Sequence, residues 1–142
     1  MQTTEKQNYK LDQQVGFLLR KASQRNSEIF SDLMFPELTP TRFAAIAKLS
    51  EMGPLSQNEL GRQTAMDVAT IKGVVERLVK LGLVSTEKDP SDGRKHLVQL
   101  TTEGKEVFEK STEPAFRVTQ KTLQPLSEAE STALVELLKK IS

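Results

Sequence analysis

Cysteine is absent from the 142 residues. That absence removes disulfides, thiolate metal sites, cysteine nucleophiles and thiol-based oxidant sensing together. Tryptophan is also absent, tyrosine occurs once, and aromatics total only 5%. A carbohydrate cleft or an aromatic base-stacking sheet is therefore not expected. The single histidine, His96, falls on a predicted strand. A metal site needs several suitable ligands and a catalytic imidazole needs a positioned partner, so neither role is expected of it. Gly-rich phosphate loops and HExxH zinc motifs are missing as well, which leaves no support for an enzyme, a metal or a cofactor.

An excess of one charge is lacking too. Lys plus Arg is 20 and Asp plus Glu is 19, a formal net charge of +1. Global charge gives no pointer to nucleic acid, so any basic surface must be local. No apolar run approaches the ~20 residues of a membrane span. The N-terminal MQTTEKQNYK has no apolar signal core, so neither a membrane partner nor export is expected, and the cytoplasm is the expected compartment.

What is present suits one domain of 15.9 kDa. Residues 1–10 are polar and read as a loose end. Leu11, Val15, Leu18, Ala22, Ile29 and Leu33, with Leu19, Phe30 and Met34 beside them, form a broad helical stripe that Phe35-Pro36 ends. Thr39-Pro40 is an N-cap followed by proline at the first helical position. Phe43, Ile46, Ala47 and Met52 are the inward residues of that second helix, and Gly53-Pro54 stops it.

Ser56-Gln57-Asn58-Glu59 reads as a capping box for a short helix through about Thr64. Asp67 caps the next helix, where Ile71, Val74, Val75 and Leu78 share a face at i, i+3, i+4 and i+7. Gly82 supplies its C-terminal stop. Leu83–Lys88 and Lys95–Leu100 read as strands around the turn Asp89-Pro90-Ser91-Asp92-Gly93. Thr101 caps a further helix, which Pro114 is expected to kink or split. Ser127–Glu130 is a second capping box, opening a helix with Leu134, Leu137, Leu138 and Ile141 on one side.

Two short helices, a brief turn and a two-stranded hairpin make a helix-turn-helix with a wing. An α-helix fits the major groove of duplex DNA while its partner helix sets its angle. The second helix is apolar behind and short-chained in front, where Val68, Ala69, Thr70, Lys72 and Gly73 lie. Thr70 suits a base edge or a phosphate, Val68 and Ala69 suit a thymine methyl, and Lys72 suits guanine or phosphate. Gly73 permits close backbone approach. Arg77 is either a phosphate contact or the ion-pair partner of a nearby carboxylate. Ser91, Asp92, Arg94 and Lys95 form the hairpin tip, with Arg94 as the minor-groove probe and Asp92 placed to orient it. Ser56 and Gln57, at the start of the first helix of the pair, complete the candidate DNA-contacting set. From Pro54 to Thr102 seven basic side chains stand against six acidic ones, so placement rather than net charge must carry binding.

Asp67–Val84, followed by Asp89–Gly104, resembles the MarR family of bacterial winged-helix regulators, with Leu38-Thr-Pro-Thr-Arg-Phe43 matching upstream. The most specific parts are Asp92-x-Arg94 and Leu100-Thr-x-x-Gly104. Departures are Ser85-Thr86, where the family commonly has an acidic residue then Arg, and Gly73, often Arg or another polar residue. The resemblance implies a homodimer, double-stranded DNA with a palindromic operator, and repression relieved by a small, often aromatic, acid. Leu11–Arg20 resembles the branch that controls nicotinate or related aromatic-acid breakdown.

The expected fold is mostly α with a small β-hairpin wing. A single domain over 1–142 is expected to carry a winged helix-turn-helix lobe at 39–101. Dimerisation helices are expected at 11–35 and 102–142, which hold more apolar surface than a small winged lobe needs. Arg20 interrupts an apolar helix. It is either a solvated arginine or the carboxylate anchor of an effector pocket walled by Phe17 and Phe43. A protein-binding winged-helix module without an operator is the alternative function; exposed aromatics at the wing would favour it.

Overall fold

A computed structural model describes residues 8–142, so most of the polar end read over residues 1–10 lies outside the described residues. Six helices and one small sheet follow: α1 (Val15–Leu33), α2 (Pro40–Met52), β1 (Leu55–Ser56), α3 (Gln57–Gln63), α4 (Val68–Lys80), β2 (Val84–Asp89), β3 (Asp92–Leu100), α5 (Thr102–Leu123) and α6 (Glu128–Ile141). From α2 onward the helices start where polar caps demand. Thr39, Ser56, Asp67, Thr101 and Ser127 each accept the backbone N–H three residues on, satisfying a donor that would otherwise lack a partner. Only Ser127 closes a full box, with Glu130 reaching back to its N–H. At Ser56 the box is half made, because the Glu59 carboxylate turns to Arg62 and Gln63 instead.

The long N-terminal helix does not run from Leu11. Leu11–Gln13 is a 3-10 turn and Gln14 is extended, its side-chain amide donating to the Lys10 carbonyl at 2.9 Å. That local bond offers the backbone an alternative to continuing the turn. Met52, expected to face inward, is 46% exposed; Ala45, Ile46 and Leu49 fill the inner face of α2. Pro114 does not split α5, which stays one helix through it. Packing holds the helix on both sides of the proline, through buried Ser111 and Val118. Just before it, Ser111 and Thr112 turn their hydroxyls back to the Phe108 and Glu109 carbonyls.

The sheet has the order β1-β3-β2. Leu55 and Ser56 pair with Val98 and Leu97, a strand not anticipated because two residues carry no periodic signal. The hairpin strands reach further than expected, leaving Pro90-Ser91 as the connection, with Asp89 opposite Asp92 and a register shift beside Lys88. Ile46, Leu60, Ile71, Leu78 and Val98, from α2, α3, α4 and β3, lie under 2% exposed and form the centre of the core. α1 crosses α5 and is tied to its C-terminal end. Arg25 donates to the Thr122 and Lys121 carbonyls at 2.7 and 3.1 Å, which suits a cation at a helix C-terminus.

Candidate DNA-binding surface

α4 owes its geometry to α3 and to the turn between them. Gly61 on α3 sits so close to α4 that an added Cβ would press on Ile71 and on the Met66 carbonyl, both at 3.2 Å. The turn is closed by Met66 N–H donating to the Gly61 carbonyl at 2.9 Å and by the Thr64 hydroxyl donating to Leu60 at 2.6 Å. Ala65 takes a φ of 56° there, a left-handed conformation costing an alanine about 1 kcal/mol. Ile71, Val74, Val75 and Leu78 are buried, so the opposite face of α4 must point outward.

That outward face carries the expected residues. Val68 is 71% exposed, and Ala69, Thr70, Lys72, Gly73 and Arg77 are exposed around it. A Cβ on Gly73 would meet nothing within 4 Å, so this face is open. The Asp67 carboxylate accepts the Thr70 N–H at 2.7 Å. This bond, and then the Thr70 hydroxyl, hold the Asp67 carboxyl below its ordinary value. Ser56 spends its hydroxyl as a cap and is half-buried, as is Gln57. These two are the least available of the set.

Among the described residues the ion pairs are Arg62–Glu59 at 2.5 Å and Lys48–Glu51 at 3.6 Å. Lys72, Arg77, Lys80, Arg94 and Lys95 belong to neither. The ion-pair alternative for Arg77 thus finds no carboxylate partner, and its charge stays free for an anion. Gln63 and Arg62 keep the Glu59 carboxyl below its usual range, so α3 holds its acidic residue internally engaged.

At the wing tip Ser91, Arg94 and Lys95 are exposed, with Asp92 half-buried. Asp92 does not orient the Arg94 guanidinium as expected. Its carboxylate accepts the Arg94 backbone N–H at 3.1 Å and so shapes the strand entry. The principal organiser is Asp89, which accepts both the Ser91 N–H at 2.8 Å and the Ser91 hydroxyl at 2.7 Å. Those bonds hold the Asp89 carboxyl below its ordinary value. Asp-x-Ser is a recognisable turn pattern, so this role was open to a sequence reading that stopped at Asp92. His96 is exposed on β3, opposite Lys88, and no cluster of three or more His, Cys, Asp or Glu suited to a metal occurs among the described residues.

The effector triad fares differently. Phe43 packs against Phe30 and Phe108, each ring centroid 6.0 Å away. Phe17 precedes Phe30 on the same helix by about 20 Å of rise. It lies instead under the Lys21 ammonium at 5.7 Å, and Arg20 is exposed beside it. Within one subunit Phe17 and Arg20 do not share a pocket with Phe43. The aromatic trio Phe30, Phe43 and Phe108, drawn from α1, α2 and α5, was not foreseen because its members lie far apart in sequence. Next to Phe108 a half-open cleft of about 330 Å³ lies between α2, β3 and α5, reached by Leu49, Gln99, Leu100 and Lys105.

A recognition helix locked from behind, an exposed polar front and a wing with free cations define a winged helix-turn-helix DNA-binding protein. The comparisons with known proteins agree. The MarR family model matches residues 38–96. The HTH-type transcriptional repressor NicR of Pseudomonas putida is 40% identical over 134 residues, covering 94% of this chain and 85% of NicR. A structure explaining how 6-hydroxynicotinic acid regulates DNA binding by Bordetella bronchiseptica BpsR superposes with a TM-score of 0.91 at 38% identity, covering 95% of this chain and 97% of BpsR. The Streptomyces coelicolor PcaV regulator, in complex with its natural ligand, gives 0.88 at 29% identity, with 96% of each chain covered. The chain belongs to the MarR family, and it is a DNA-binding transcriptional regulator.

Proposed function

We propose that the protein is a homodimeric repressor that sits on a palindromic operator and leaves it when a small aromatic carboxylate binds. The observation that carries this reading is the set of unpaired cations on the open face of α4 and on the wing, Lys72, Arg77, Arg94 and Lys95, beside a helical end whose apolar residues have no cover. Such a lobe gains affinity and specificity by pairing, because two half-sites about one helical turn apart are then read together. Repression and an aromatic acid are supported by the relatives, NicR as a repressor and BpsR as a protein whose DNA binding responds to 6-hydroxynicotinic acid. Its action is binding rather than catalysis, and its place is the cytoplasm, with the DNA.

The contacts sort by chemistry. Thr70 and Lys72, with Val68 and Ala69, read the major groove, Arg77 and Lys95 neutralise phosphate, and Arg94 enters the minor groove. The wing offers no exposed aromatic side chain to a protein partner. The effector acts only so far as it prefers a dimer whose recognition helices no longer match the operator. The cleft beside Phe108 offers such an acid a ring and the Lys105 cation, although Glu109 also lines it and would have to be kept from the carboxylate.

Fluorescence anisotropy on DNA from upstream of the protein's own gene tests the whole reading. Tight binding is expected, with a steep loss as salt rises. Arg94→Ala and Lys72→Ala are each expected to weaken it about tenfold. Addition of 6-hydroxynicotinate is expected to release the DNA. Salt-insensitive binding, or unchanged affinity in the Thr70, Lys72 and Arg94 triple alanine variant, overturns the DNA assignment. Release by no aromatic acid overturns the effector assignment alone.

A further inference from the structure

The last residue before α5 makes hydrogen bonds to two different parts of the molecule. The Thr101 hydroxyl accepts the Gly104 N–H at 3.0 Å, capping α5. The same hydroxyl donates to the Gly82 carbonyl at 2.6 Å, nineteen residues back in the chain. Gly82 closes the recognition helix. Its φ is +76°, its N–H donates to Val79 and the next N–H, of Leu83, donates to Leu78, so α4 ends in a left-handed glycine turn whose carbonyl is aimed at Thr101. The Thr101 N–H donates to the Leu83 carbonyl at 3.1 Å, and Gly104 lies so near that carbonyl that any Cβ would overlap it. One hydroxyl therefore joins the C-terminus of the DNA-reading helix to the N-terminus of the long helix leading to the apolar end.

We infer that Thr101 is a positioning residue that locks α4 to α5 and thereby sets the half-site spacing the dimer accepts. The inference rests on the homodimer reading above. If α5 belongs to the dimer scaffold, the orientation of α4 relative to α5 is also the separation of the two recognition helices. Capping alone needs only an acceptor at position 101. The lock needs a donor as well, and a hydroxyl supplies both on one atom. Residues separate the two roles. Thr101→Ser keeps cap and lock. Thr101→Asp keeps a strong cap but, as a carboxylate, accepts only and faces the Gly82 carbonyl without a proton to give. Thr101→Val keeps the shape and loses both.

The chain lacks cysteine, so Glu76→Cys on the exposed side of α4 places one spin label per subunit without background. Pulsed dipolar spectroscopy of the full-length protein then reads the distance between the two recognition helices. A narrow distribution is expected for the otherwise unaltered protein and for Thr101→Ser, and a distribution at least twice as broad for Thr101→Asp and Thr101→Val. Operators lengthened or shortened by one base pair supply the second readout. Thr101→Ser is expected to keep the spacing preference, and Thr101→Asp to flatten it several-fold. An equally narrow distribution in folded Thr101→Asp, or a loss of affinity uniform across all spacings, overturns the inference. If Thr101→Asp fails to fold, Thr101→Val decides by the same distance measurement, with its fold checked by a cooperative urea transition. If both fail to fold while Thr101→Ser is sound, the residue is structural and the inference is overturned. Absence of any dipolar coupling, with sedimentation giving 15.9 kDa, removes the dimer reading and the inference with it, an outcome distinct from the others.

Discussion

The DNA-reading lobe and the apolar helical end are built from similar residues but stand in different conditions. In the lobe, α2, α3, α4 and the sheet share a closed core, with Leu60, Leu78, Ala45 and Ile46 at 0% exposure. At the other end α6 buries no residue at all, and Leu134, Leu137, Leu138 and Ile141 are 36%, 59%, 37% and 65% exposed. The N-terminal end matches it, with Leu11 of the 3-10 turn and Val15, Leu18 and Leu19 of α1 all above 40% exposed. An amphipathic helix gains stability by covering its apolar face. The core of the lobe closes within one chain, whereas the apolar side of the helical end is left uncovered.

The comparison breaks first in the lobe. Leu78→Ala opens a cavity at the centre of the core and is expected to cost about 2–5 kcal/mol. Urea titration checks it, and the loss should not vary with protein concentration. A loss below about 1 kcal/mol would contradict a closed lobe core. The helical end is tested by Leu138→Glu, which sets a charge on the uncovered face. The expected outcome is a mass falling from twice 15.9 kDa to 15.9 kDa in sedimentation, with the lobe still melting cooperatively. Operator affinity then falls about 100-fold, since two tethered half-site contacts become one. A dimer that survives this change would show that α6 is not the shared surface.

The smallest effect concerns pH. Asp67 and Asp89 are held below the ordinary aspartate value of 3.8, and Glu59 and Glu130 below the ordinary glutamate value of 4.5. Their folded values lie below their unfolded ones. Their contribution is therefore complete above the unfolded values and is lost as pH falls through the folded ones. Stability is expected to be flat from neutral pH to about 5 and to decline below that. Asp67→Asn preserves a good cap, so neutral stability should change by less than about 0.5 kcal/mol. The acid decline should become shallower by the Asp67 share, which melting curves between pH 3 and pH 7 would reveal.

Much of the lobe was legible because its signals are local. Thr39, Asp67 and Thr101 act on donors three residues away, and Gly82 needs only its own φ, so nearby residues announce them. The α4 face was legible for the same reason. With Ile71, Val74, Val75 and Leu78 inside, Val68, Thr70, Lys72 and Arg77 have only the outside left. Several of the misses were non-local. The β1 pairing depends on β3, more than forty positions on. Pro114 stays within α5 because α1 and α2 pack on that helix, whereas Gln14 and Asp89 act through bonds to residues two to four positions away, which were open to a closer reading of the sequence. Within one subunit Phe17 and Arg20 lie apart from Phe43, because helix spacing says nothing about which helix packs where.

Composition and order alone determined that this chain has no thiol chemistry, where the capped helices α2 to α6 begin, and which side chains a recognition helix would present. Those are consequences of atoms within a few residues of one another. Tertiary structure alone decided that Phe43 meets Phe30 and Phe108, that one hydroxyl on Thr101 spans α4 and α5, and that the apolar residues of α6 are left uncovered. Each depends on the relative placement of elements, which sequence periodicity does not encode because packing is a property of pairs of surfaces.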